Sequence, residues 1–237
     1  TESRVADARN RAAGFPARIY QDNPQFQLMR TRVEYSFFKN PDTAAEHFRK
    51  QRSRGGRAAV AAQYGLVLAM TDAGQFSEAR ALIQPMIDFA PQNMTYRLAE
   101  VGIDIAEKRY GRAIAKLQRG LQLVPGNHPM TMTLARAYFE SERYAEADRL
   151  LSEHARSKST NAYLWYVLAE VQGLAGNSLG LHQSRAEYFA LNGALKQAQE
   201  QLGLALGLAS DNVTIERINQ RIVFFKQVEA LLRQLSS

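Results

Sequence analysis

The chain contains no cysteine. Disulfides, a thiolate nucleophile and thiolate-based zinc sites are therefore excluded, and the sequence suits the cytosol or an oxidising periplasm equally well. It has no apolar run able to span a bilayer: the longest, AAVAAQYGLVLAM (58–70), is interrupted by Gln63 and Gly65. Metal-ligand spacing is also missing. The four histidines, His47, His128, His154 and His182, show no i, i+4 pair and no H-E-x-x-H, so they are expected to be solvated or helix-terminal. Gly55-Gly56 follows no strand and belongs to no G-x-x-x-x-G-K pattern, which removes a phosphate cradle. The expectation is a chain without catalytic residues, metal or cofactor of its own.

What is present is a folded chain of 237 residues, 46% apolar and 22% charged. Its net charge of +7 is uneven: residues 1–59 hold twelve Lys/Arg against six Asp/Glu, and the remainder is nearly balanced. One basic end argues against a surface built to bind nucleic acid throughout.

The dominant signal is a repeat. Ala45, Ala79, Ala113 and Ala147 stand 34 residues apart; Phe76, Tyr110 and Tyr144 keep the same interval, and so do Pro91 and Pro125. Within a unit the apolar spacing predicts a helix, a short turn such as Asp72-Ala73-Gly74, and a second helix. Units are expected at 26–59, 60–93, 94–127, 128–161 and 162–192. The beat then slips, because the next matching alanine is Ala198. The helix at about 178–191 should therefore close one pair and open the next, followed by helices at 194–208 and 212–234. A seam of Ile215, Ile218, Ile222, Phe225, Val228, Leu232 and Leu235 marks the last as a capping helix.

The recurring Gly, aromatic, Ala and Pro, with Trp165, Leu168, Ala169 and Gly176 in a later unit, resemble the tetratricopeptide (TPR) repeat. The resemblance implies an all-α helix-turn-helix solenoid, a right-handed superhelix of about five repeats over 25–237 plus the capping helix. It also implies a groove lined by the first helix of each unit, with candidates Arg30, Glu34, Tyr64, Leu68, Leu98, Met132, Arg136, Tyr166 and Glu170. Lys and Asn, which clamp a terminal carboxylate in specialised members, occupy none of these positions. A mixed lining of this kind suits a protein or peptide client. A basic run, Arg49, Lys50, Arg52, Arg54 and Arg57, is a candidate docking patch, although a solvated helix end accounts for it better.

The opening TESRVADARNRA stands apart from the repeats. With QFQLMRTRVEY (25–35) it resembles the junction and first TPR helix of BepA-like (HtpX-type) periplasmic zinc metalloproteases. That resemblance implies that residues 1–24 form an N-terminal helix and linker, a seam to an upstream protease domain. Zinc and catalysis would belong to that missing domain. It further implies a periplasmic address, and as partners clients, the protease domain and outer-membrane assembly components, with no nucleic acid and no membrane span. The alternatives are a free-standing TPR scaffold or lipoprotein in envelope, pilus or secretion assembly, an RNA-binding helical repeat, and an enzyme in its own right.

Overall fold

A computed structural model of the chain describes residues 23–56 and 58–236. Residues 1–22, which contain the expected protease seam, lie outside the described residues, as does Arg57 of the basic run.

Twelve helices and no strand occur among the described residues. They are α1 (Pro24–Ser36), α2 (Pro41–Ser53), α3 (Ala58–Asp72), α4 (Phe76–Phe89), α5 (Met94–Ala106) and α6 (Tyr110–Leu123). After them come α7 (His128–Glu140), α8 (Tyr144–Ser157), α9 (Ala162–Leu174), α10 (Ser178–Leu191), α11 (Leu195–Leu208) and α12 (Asn212–Ser236). The all-α helix-turn-helix architecture expected from the 34-residue beat is thus present.

The helix boundaries have local causes. Asn93, Asn127 and Asn161, again 34 apart, are N-caps whose side chains accept backbone N–H bonds from Thr95, Met130 and Leu164 at 3.0, 3.0 and 3.1 Å. The prolines read from the sequence sit just before these caps; the asparagines start the helices.

The first helix of a pair ends in a six-residue backbone loop. The N–H of Gln75, Arg109, Arg143 and Asn177 each bonds to the carbonyl five residues back, at 2.7–2.9 Å. The residue before each of them must take a left-handed conformation. Gly74 and Gly176 do so freely, whereas Lys108 and Glu142 are held there at φ 60°. Glu142→Gly is therefore expected to stabilise the chain by about 1 kcal/mol, read as a higher urea midpoint at unchanged m-value.

By its internal contacts the chain forms two compact units, one ending at Pro85 and one starting at Met86. The division falls inside α4, where Pro85 removes a helical N–H donor. In the first unit α3 packs on both α1 and α2. Ala44, Ala45, Phe48, Leu66 and Val67 are buried there.

In the second unit each helix packs on the next from α5 to α12. Ala113 and Ala147 are fully covered, as small residues at a close helix approach should be. α10, the helix at the slip, packs on both α9 and α11, as each interior helix of this unit packs on its two neighbours. Two clusters of buried residues lie in this unit. One runs from Val101 to Val171, and the other from Ala186 to Phe225. On α12 the seam is covered only in its first half: Ile218 and Phe225 are buried, while Leu232 and Leu235 are exposed, contrary to the full-length seam expected from spacing. The apolar period continues beyond the neighbour that would cover it.

Candidate protein-interaction face

The predicted groove residues fall into two groups, one in each compact unit. In the first, Arg30 is exposed and Leu68 is half-buried. Glu34 is committed internally: it takes His47 at 2.7 Å and the Gln51 amide at 2.9 Å. Tyr64 must be corrected. It is 1% exposed, and burial pushes its phenol above the ordinary value, with Arg32 pulling the other way. A wide apolar stripe places it inward, so Tyr64→Ala would report on folding rather than on client capture.

In the second unit Leu98 and Met132 pack partly against the core cluster and offer little free surface. Arg136 is exposed but paired with Glu140 at 2.6 Å. Tyr166 is the open position, 46% exposed.

Around Tyr166 the structure assembles a face that the repeat consensus does not announce. Tyr163, one turn earlier on α9, stacks with Tyr166 at 6.4 Å between ring centroids. Tyr188 of α10 meets Tyr166 at 5.7 Å and Phe189 at 5.6 Å. Glu170, the remaining predicted residue, faces Arg185 at 3.9 Å across the same pair of helices. Tyr163 is 65% exposed and Leu174 54%. Tyrosine presents a large rigid contact area and loses few rotamers on binding, so a patch of adjoining tyrosines with charges alongside is physically suited to holding a polypeptide. Tyr188 could have been noticed: it stands 34 residues after His154 and 68 after Gly120, a column in which it is the largest of the three side chains.

The basic run lies on the last turns of α2. Arg49, Lys50 and Arg54 are exposed and Arg52 is half-buried. Lys50 pairs with Glu46 at 2.7 Å and holds that carboxyl below its usual range.

The four histidines were expected to be solvated or helix-terminal; His128 and His154 do lie in terminal turns of their helices, but His154 is buried rather than solvated. His154 of α8 is buried and stacks on His128 at the start of α7, their ring nitrogens 2.9 Å apart and hydrogen-bonded. Their separation of 26 residues joins the two helices of one repeat, a pairing that no short motif reveals. Burial lowers the His154 pKa first, followed by the charges of His128 and Lys158. Asn161, which approaches the other nitrogen of His128 at 3.2 Å, completes the surroundings.

A lowered folded-state pKa means that the unfolded chain takes up the proton first. Stability from this pair is complete above about pH 6.5 and is lost as pH falls toward the folded value. Melting temperature is expected to drop between pH 7.5 and pH 5, and to drop less in His154→Gln. Equal pH slopes in the two proteins would remove this pair as the cause.

Among the described residues no group of three or more His, Cys, Asp or Glu is arranged to hold a metal. No helix among them is long and apolar enough to cross a membrane.

The paired helices and their 34-residue register are those of a helix-turn-helix repeat array. Residues 104–171 match the tetratricopeptide repeat family model. The chain is similar to the beta-barrel assembly-enhancing protease of Escherichia coli (strain K12), 29% identical over 198 residues, and to that of Yersinia pestis, 28% identical over 214 residues. The first alignment covers 83% of this chain and 40% of the relative, the second 89% and 42%, so the chain spans about two fifths of the length of these curated relatives. Among solved structures, a tetratricopeptide repeat protein from Parabacteroides merdae is 11% identical, with a TM-score of 0.48 and 87% of each chain covered.

Proposed function

We propose that this chain is the partner-engaging TPR portion of a periplasmic zinc metalloprotease that works beside outer-membrane β-barrel assembly. The observation that carries the reading is the similarity over 83% of the chain to proteases named for enhancing that assembly. In this reading zinc and peptide-bond cleavage belong to the protease portion, and this chain brings clients or assembly components within its reach. The face formed by Tyr163, Tyr166 and Tyr188 supports a holding role, because it offers exposed, stacked aromatic area on two helices that pack together. The exposed arginines at the end of α2 would serve an acidic surface, such as one on the protease portion.

The test replaces Tyr163, Tyr166 and Tyr188 by serine in the full-length protein, in cells whose own copy is deleted. Because all three rings are at least partly solvent-facing, helicity of the isolated chain should survive. Recovery of correctly assembled outer-membrane barrel proteins should fall well below that given by the unaltered protein. Full recovery with the triple variant would defeat the reading of this face.

A further inference from the structure

A second feature of the C-terminal unit lies apart from the aromatic face. A cavity of about 530 Å³ opens where α12 passes α9, α10 and α11. It sits at the break between the two apolar core clusters, and its inner wall is polar. Ser184 donates to Gln172 at 2.7 Å, and the Gln172 amide donates to Asp148 at 2.9 Å. Asp148 is further engaged by Asn177 at 2.8 Å and Ser152 at 2.9 Å, so this wall is internally satisfied.

The outer wall has a different character. Arg221 makes a two-pronged pair with Glu187, at 2.7 and 2.5 Å, and its guanidinium lies over Phe224 at 4.8 Å and Phe225 at 4.5 Å. Among the described residues Glu187 is the only carboxylate lining the cavity, and Arg221 occupies it. Arg217, one turn earlier on α12, also lines the cavity and forms no ion pair with any described carboxylate within 4.0 Å. It acts only at longer range on Asp211, whose pKa is held down chiefly by the Thr214 backbone N–H. Two arginines against one glutamate leave one cation over; Gln183 also lines the cavity, as does Gln220, whose side-chain amide donates to Glu216 at 2.8 Å. Phe224, which is exposed, and the half-buried Trp165 supply apolar surface in the same cavity, with Leu168 and Leu202 buried behind them.

We propose that this cavity binds an internal segment of a partner polypeptide that presents an acidic side chain between apolar residues. Arg217 takes the carboxylate, Gln183 meets the peptide amides, and Phe224 with Trp165 takes the flanking side chains. Charge complementarity carries the choice of occupant: the unmatched group in the cavity is a guanidinium, whose fork of donors fits a carboxylate. The volume lies within the range of small binding sites. The proposal rests on the chain being a protein-interaction module, but it concerns a surface other than the tyrosine face.

The chain carries its own reporter. Trp165, its only tryptophan, lines the cavity with its indole N–H fixed on the Ser159 carbonyl at 2.9 Å. Tryptophan emission of the 237-residue chain is titrated with acetyl-Gly-Leu-Asp-Leu-Gly-amide, with its Asn counterpart, and with acetyl-Gly-Leu-Asn-Leu bearing a free C-terminal carboxylate. A saturable change is expected with the Asp peptide, at least tenfold weaker with the Asn peptide. In Arg217→Gln the Asp peptide should bind at least tenfold more weakly at unchanged helicity; should that variant misfold, the Asp/Asn comparison on the unaltered protein decides. No saturable change, equal response to Asp and Asn, or an unaffected Arg217→Gln would overturn the proposal. A response confined to the free C-terminal carboxylate would also overturn it, in favour of terminus recognition. Replacing the three tyrosines by serine should leave this titration intact, which separates failure here from failure of the aromatic face.

Discussion

Lys116→Ala is expected to lower the unfolding free energy by about 3 kcal/mol. Lys116 of α6 bridges two acids of α5, Glu100 at 2.6 Å and Asp104 at 2.7 Å, and the Asp104 side chain is fully covered. Arg112 approaches Asp104 at only 3.6 Å. Without the ammonium, a buried carboxylate keeps a weaker cationic neighbour and faces a second acid one turn away. Removing one partner of a buried pair costs far more than the pair contributes net, because the desolvated charge stays behind.

The period offers a control. Asp104 and Lys116 occupy columns that hold Met70 and Leu82 in the preceding unit and Tyr138 and Leu150 in the following one. Asp104→Leu combined with Lys116→Leu should therefore recover most of the loss. Urea unfolding with an unchanged m-value measures both variants; a cost below about 1 kcal/mol for Lys116→Ala would show that the cluster is not a buried pair.

Gly65→Ala is the second large effect, expected to cost about 2–3 kcal/mol. A methyl group on Gly65 would stand 2.7 Å from two atoms of the Phe48 ring, where α3 crosses α2. That ring is completely buried and hemmed in by Phe38 at 5.9 Å and by His47 edge-on at 5.2 Å. It has no vacant space to move into, so the helices must part. Gly120→Ala makes the contrast. Its added methyl would meet the Met130 sulfur at 2.9 Å, the flexible end of an adaptable side chain, and the better helix propensity of alanine offsets the crowding. Near-neutral Gly120→Ala beside a lowered midpoint for Gly65→Ala is the expected outcome; similar shifts for the two would show that the α2–α3 contact is softer than its geometry.

The sequence reading succeeded where one residue type performs one job at a fixed interval. An alanine every 34 residues marks a close helix approach, and Ala79, Ala113 and Ala147 are each fully buried. Gly74 and Gly176 mark left-handed turns for the same local reason. Reading failed where position in a repeat had to stand for exposure. Tyr64 and Tyr166 share a column, yet one is buried and the other half open, since their neighbours differ.

Polar residues in apolar columns were the least legible. Asp104 and Gln172 each look like a defect in a packing pattern. Their compensation comes from Lys116 and Ser184, in both cases twelve residues later on the partner helix. Likewise, His128 and His154 are unremarkable until two helices stack them, and Tyr163, Tyr166 and Tyr188 become a surface only when α9 and α10 lie side by side.

By itself the sequence determined the all-α class, the period, the helix ends and the small buried columns. These depend on backbone geometry and spacing along one helix, which are local. Tertiary structure alone decided which polar residues are buried as satisfied pairs, which aromatics remain in solvent, and where α12 leaves a cationic cavity. Those outcomes depend on side chains brought together from separate helices, where burial and charge belong to the pair and to neither residue alone.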